Sequence, residues 1–291
     1  MFTPAESDAC RRLVELALQE DLGTAGDLTS LAVIPEELQG LAVFVARAPG
    51  VIAGLPAAAL VCTAVEPRLA FQSLVEDGTA VQPGQSLASV RGPMRGILAA
   101  ERTALNFLQH LSGIATLTRR FVDAVSGLPA HVLDTRKMLP GWRHLEKYAV
   151  RQGGDHNHRM GLYDGILIKD NHLAAVGADA SAVAERALAW RQRQQSLVPV
   201  EIEVDTLEQL DQVLPCRPDI VLLDNMTPAQ VGEAVRRRDA KGPGVVLEVS
   251  GGVTLDTIRA YAETGVDRIS VGALTHSAPA LDIALDYRRD G

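Results

Sequence analysis

Six short apolar runs alternate with helical patterns through the second half of this 291-residue chain: "HVLDTRK", "GILIKDN", "VEIEVDT", "DIVLLDN", "VVLEVSGG" and "RISVGAL". Strands that are apolar all through are buried on both faces, so they pair in parallel and are joined by helices. Those helices carry start signals of their own, Thr227 before Pro228 and Thr254 ahead of "LDTIRAYAETG", where Gly265 is the stop. Parallel strands that end in Arg, Lys, Glu, Asp, Ser and Gly on one side predict an α/β barrel whose carboxyl-end rim is the active site. An open doubly wound sheet, which also binds ligands at strand carboxyl ends, is the second expectation.

The first half has a different texture. Cys10, Leu13, Val14 and Ala17 recur at helical spacing, which predicts an amphipathic helix after Ser7. "LAVFVAR", "FQSLVEDG" and "SLASVRG" are β-like runs punctuated by Gly and Pro around one helix at Pro56 to Val65, and together they describe a small α+β domain. "GILAAERTALNFLQHLSGIATLTRR" then sets Leu98, Leu105, Leu108 and Leu111 on one face of a long helix, along which the domain boundary falls.

Composition excludes several functions. A hydrophobic fraction of 47% supports a full core, and a net charge of -8 lacks the basic excess that pairs with nucleic-acid phosphates. Cys10, Cys62 and Cys216 are scattered and form no C-x-x-C pair, so neither a disulfide framework nor a zinc ribbon is expected and a reducing cytoplasm fits. The opening "MFTPAESDACRRLVELALQEDLG" has acids throughout, and the most apolar stretch, Val51 to Val65, is interrupted by Gly54 and Pro56. Neither an export signal nor a membrane span is expected.

Against this acidic background, the segment from His131 to His172 gathers Arg136, Lys137, Arg143, Lys147, Arg151, Arg159 and Lys169 together with histidines. These cations are either an ordinary solvated face or held for an anion. Arg136 and Lys137 follow the strand of Val132 and Leu133, His158 and Arg159 sit in a Gly-flanked loop, and Lys169 directly follows an apolar strand. His156 and His158 suggest zinc only if a third ligand joins them. On the long helix, Arg102 lies about 120° from the apolar stripe, on the strip of Asn106. Glu203 and Asp224 end two strands, where they suit a hard cation such as Mg²⁺ with ligand phosphates, stabilise a developing positive charge, or merely cap the next helix. Ser250, Gly251, Gly252, Gly272 and Ala273 form two glycine-rich turns that offer backbone N–H groups to phosphate. Such a rim suits chemistry that joins or splits a phosphorylated sugar and another anion.

At these residues the chain resembles the quinolinate phosphoribosyltransferase family, the decarboxylating nicotinate-nucleotide pyrophosphorylases of NAD biosynthesis, which are type II phosphoribosyltransferases. The resemblance covers nearly the whole chain. It is carried by "LQEDLGTAGDLTS", "ERTALNFLQHLSGIAT", "DTRK" with "PGWR", "KYAVRQGGDHNHRMGLYDGILIKDNH", "EIEVDTLEQL", "LLDNMTP", "LEVSGGV" and "ISVGALTHSAPALDI".

The resemblance implies an N-terminal α/β sandwich over 1–110, an incomplete α/β barrel over 111–277, and a C-terminal helix over 278–291 that packs back on the sandwich. It implies a cytoplasmic homodimer with neither nucleic-acid nor membrane partners. Quinolinate would be gripped by Arg102 from the partner subunit and by Thr135, Arg136, Lys137, His158, Arg159 and Lys169. Glu203 and Asp224 would serve Mg²⁺ and the ribose of phosphoribosyl pyrophosphate (PRPP), and Lys137, Ser250, Gly251, Gly252, Val271, Gly272, Ala273 and His276 its phosphates. Lys137, Lys169, Glu203 and Asp224 are the implied catalytic set, with Lys169 steering the loss of CO₂.

Two positions depart from the family pattern. Met138 stands where a Thr is usual, and Asp155 replaces a third Gly. They leave room for a relative acting on another pyridine acid such as nicotinate. Two rival readings use the same residues: a Schiff-base lyase built on Lys169, and a non-catalytic anion-binding module, which would need no metal carboxylates.

Overall fold

The computed structural model describes residues 2–288. In chain order, the helices α1 (Pro4–Leu22) and α2 (Leu28–Val33) precede β1 (Gln39–Ala46), β2 (Gly50–Val51), α3 (Leu55–Val65), β3 (Ala70–Ser73), β4 (Ala80–Val81) and β5 (Ser86–Pro93). The long helix α4 (Met94–Ala124) follows, then β6 (His131–Leu133), α5 (Arg143–Gln152), β7 (Ile166–Ile168), α6 (Asp170–Val176) and α7 (Ala180–Arg193). The remainder is β8 (Val200–Val204), α8 (Leu207–Val213), β9 (Ile220–Asp224), α9 (Pro228–Lys241), β10 (Val246–Ser250), α10 (Ile258–Ala262), β11 (Arg268–Ser270), α11 (Ala273–His276) and β12 (Ile283–Arg288).

Two compact units result. Of the described residues, the first takes those up to Arg119, the segment Met138–Gly154 and those from Ala273 onward. Its main sheet is antiparallel, with strand order β12-β1-β5-β3. Helix α1 starts at Pro4, earlier than the spacing after Ser7 suggests, because Thr3 and Glu6 form a reciprocal cap: Thr3 Oγ1 accepts from the Glu6 N–H, and Glu6 Oε2 from the Thr3 N–H. Ile97, Leu108, Leu111 and Ile114 of α4 are at most 1% exposed, and each buried side chain of this kind contributes about 1.5–3 kcal/mol.

Helix α5, expected in the barrel, belongs to this first unit. Arg151 pairs with Glu6 of α1, and Tyr148 meets Phe2 edge-on at 4.6 Å. The Tyr148 hydroxyl donates to Asp77 at 2.6 Å, and the same carboxylate accepts the Gly54 and Leu55 N–H groups at the start of α3.

The helix expected over 278–291 is corrected: Ile283–Arg288 is a strand, and 289–291 lie outside the described residues. Backbone before it lies directly on α4, where a side chain at Gly113 would collide with the Pro279 carbonyl. Leu281 N–H donates to the Gln109 carbonyl at 2.9 Å, and Gln109 Nε2 to the Ile283 carbonyl at 2.7 Å. These bonds draw the chain out extended, and it pairs with β1.

The second unit holds Arg120–Lys137 and Asp155–Gly272. Its six strands run in the order β6-β11-β10-β9-β8-β7, and every neighbouring pair is parallel. The order never reverses after β7, which excludes the doubly wound sheet. Among the described residues β6 and β7 are not paired with each other, so the barrel is incomplete. Helix α9 starts on Thr227 and Pro228 as expected, whereas Thr254 opens a turn and α10 begins only at Ile258. No helix among the described residues is long and apolar enough to cross a membrane.

Candidate active site

The carboxyl ends of the parallel strands surround a cavity of about 460 Å³. Thr135, Arg136 and Lys137 reach it from the end of β6, and His158 and Arg159 from the loop ahead of β7. Lys169 follows β7, Asp224 ends β9, and the turn of Ser250, Gly251 and Gly252 ends β10. All of these residues belong to the second unit.

The charges of Arg136 and Arg159 act on each other. Burial lowers the pKa of Arg159 and the charge of Arg136 lowers it further, while the Nε of Arg136 is buried with no hydrogen-bond partner among the described residues. Two like charges lining one cavity, one with an unmet donor, are an arrangement that a bound carboxylate relieves.

In the same cavity, Lys169 is ion-paired with Glu203, which is 8% exposed. An amine held by a carboxylate is the opposite of the unpaired lysine that imine chemistry uses, so the Schiff-base reading loses its nucleophile. Burial raises the pKa of Asp224, and the charge of Glu203 raises it again. Asp224 does not cap the next helix, because Thr227 does. Instead it accepts from Asn225 Nδ2 at 2.6 Å. Asn225 has a φ of 53°, and a Cβ at Gly251 (φ 98°) would collide with its side chain. Only glycine lets these two turns approach so closely.

The floor holds a cluster that residue spacing did not reveal. His158 Nε2 lies 3.3 Å from Glu201 and 3.2 Å from Glu248, both almost fully buried, and Ser270 donates to Glu248. Burial opposes a charge on His158, but the hydrogen bonds and charges of the two glutamates outweigh it and push the pKa up to about 10. The Arg159 N–H donates to Nδ1 at 2.7 Å. In the singly protonated ring that bond sets the proton on Nε2, between the glutamates, of which Glu201 is itself raised by burial. Asp134, fully buried, orients the loop by accepting from Asn157 Nδ2 at 2.6 Å and the His158 N–H at 2.9 Å. A signal for Glu201 and Glu248 existed: each is an acid flanked by apolar residues inside a strand, in "VEIEV" and "VLEVS".

Other expected residues lie elsewhere. Arg102 is exposed on α4 in the first unit, as is His276 on α11, and Ala273 opens that helix. Val271 is 2% exposed, and neither it nor Gly272 lines the cavity. The zinc pair is not a pair, because His156 groups with His131 and Asp155 while His158 groups with Glu201 and Glu248.

Two family profiles cover most of the chain: the N-terminal domain of quinolinate phosphoribosyl transferase matches residues 27–112, and its C-terminal domain residues 114–286. The chain belongs to the quinolinate phosphoribosyltransferase family. Among relatives, it is 50% identical to the nicotinate-nucleotide pyrophosphorylase (carboxylating) of Mycobacterium leprae, over 98% of this chain and 100% of that protein. Solved structures of the quinolinate phosphoribosyltransferase fold superpose closely. The nicotinate-nucleotide pyrophosphorylase of Francisella tularensis gives a TM-score of 0.88 at 38% identity, covering 97% of this chain and 96% of that one. NadC of Streptococcus pyogenes gives 0.89 at 35% identity, covering 99% of each.

Proposed function

We propose that this chain transfers the phosphoribosyl group of PRPP to quinolinate with loss of CO₂, giving nicotinate mononucleotide and pyrophosphate in de novo NAD biosynthesis. The reaction is that of a decarboxylating pentosyltransferase. The observation that carries the reading is the pair of Arg136 and Arg159, whose like charges act on each other, with an Arg136 Nε that has no partner among the described residues, lining one cavity with Lys137 and Lys169. A pyridine dicarboxylate supplies two negative groups to such a cage. The Gly251–Gly252 turn and Lys137 receive phosphate oxygens, which suits a cavity that must also hold PRPP.

Departure of pyrophosphate leaves positive charge on the ribose, and the carboxylates of Glu203 and Asp224 stand at neighbouring strand ends to stabilise it. The same two carboxylates fit Mg²⁺: they are hard oxygen donors, and the charge of one already raises the pKa of the other. When bound, the ion would neutralise charge developing on the pyrophosphate. Once the ring nitrogen is ribosylated, Lys169 holds the adjacent carboxylate as it leaves. Arg102, exposed on α4, serves the cavity of a second copy in a homodimer, and the three free cysteines suit a cytoplasmic enzyme.

Incubation with quinolinate, PRPP and Mg²⁺ tests this, with nicotinate in parallel. Nicotinate mononucleotide and CO₂ in equal amounts are expected. Turnover of nicotinate in preference to quinolinate would reassign the substrate, and activity indifferent to chelation would remove Mg²⁺.

A further inference from the structure

We propose that His131, Asp155 and His156 form a second cation site, outside the cavity, which takes a borderline transition-metal ion of the Zn²⁺, Co²⁺ or Ni²⁺ class. His156 Nδ1 lies 3.2 Å from Asp155 Oδ1, and the His131 and His156 rings meet edge to face with centroids 4.6 Å apart. One ligand atom from each of the three residues lies within 4.8 Å of the other two. Two donors bound at zinc distances in a tetrahedral shell stand roughly 3.3 Å apart. The His156–Asp155 separation already matches, and the exposed His131 supplies the third donor by turning its ring.

The donor set selects the metal. Two imidazoles and one carboxylate favour zinc, cobalt, nickel or copper over magnesium, which prefers oxygen alone. The Asp155 carboxylate is 6% exposed, and among the described residues its ion-pair partner is His156. A carboxylate so withdrawn from water gains from a second positive charge.

Position gives the site a consequence. β6 is an end strand of the six-stranded sheet, and a bridge from Leu133 to His156 ties the loop to its outer edge. His131 begins β6, while Asp155 and His156 lead directly into His158 and Arg159 of the cavity. A cation here staples that loop to the strand and steadies the two residues downstream.

The test uses the full chain without an affinity tag, stripped of metal and titrated with Co²⁺ by calorimetry and visible absorption. One equivalent should bind in the presence of excess Mg²⁺, with a rise in thermal midpoint. His131→Ala and Asp155→Asn should each weaken binding at least tenfold while leaving the metal-free melting curve unchanged. Should either variant melt differently without metal, His156→Ala takes its place. Equal affinity in these variants would overturn the proposal. So would binding lost in Glu248→Gln but kept in His131→Ala, which assigns the ion to the cavity floor.

Discussion

His156 and His158 stand two positions apart and place their rings in different clusters. His156 Nδ1 is 3.2 Å from Asp155, and His158 Nε2 is 3.2 Å from Glu248. The turn between them is set by Asp134, which accepts from both Asn157 and the His158 backbone. One ring is exposed, and the other is largely withdrawn from solvent in the lining of the cavity.

Replacing His158 with Asn should destabilise the chain by about 3–5 kcal/mol in urea unfolding, because it leaves Glu201 and Glu248 facing each other without the ring that joins them. The pH dependence has a definite sign. The folded pKa of His158 is above its ordinary value, so its contribution is whole below about 6.5 and is lost as pH rises through about 10. Glu201, raised by burial, shifts stability in the same direction. The urea midpoint of the native chain should therefore fall between pH 7 and 10 more than that of His158→Asn; parallel curves would contradict this.

Lys169→Ala removes the partner of Glu203 and the cation assigned to the departing carboxylate. Turnover should drop by about 10²–10⁴-fold, with the still-carboxylated nucleotide building up in product analysis. Full-rate release of CO₂ would end that role for Lys169.

Gly251→Ala should lower stability by about 1–3 kcal/mol, since its φ of 98° suits glycine and the new Cβ strikes Asn225. Because Asn225 and Asp224 shift together, the KM for PRPP should rise more than the KM for quinolinate in steady-state assays.

Tyr148→Phe takes one of three donors from the half-buried Asp77 and should cost about 1–3 kcal/mol by thermal or urea unfolding. Turnover of the folded variant should be unchanged, since Tyr148 does not line the cavity.

Much of the second unit was legible because each strand declares itself: "DIVLLDN" and "VVLEVSGG" are buried almost throughout and end in the residues that line the cavity. Arg136, Lys137, Lys169 and Asp224 reach that cavity from strand ends, and His158 and Arg159 from their Gly-flanked loop. What escaped depends on partners distant in the chain. The floor cluster needs the register that brings Glu201 of β8 and Glu248 of β10 beneath one loop. Assignment of α5 rests on Arg151 meeting Glu6, 145 positions away, and no local pattern records that. The tail was misread because its strand has no local partner. The start of α1 was readable after all, in Thr3, Pro4 and Glu6.

Arg47 and Asp286, which bond where β12 lies along β1, are 239 positions apart. A ribosome delivers all six strands of the parallel sheet before it delivers β12. The first sheet must therefore wait, with one side of β1 open, while the second has everything it needs to assemble. Release of the last strand, and not the barrel's own collapse, sets the moment at which a newborn chain stops offering that open side to its neighbours.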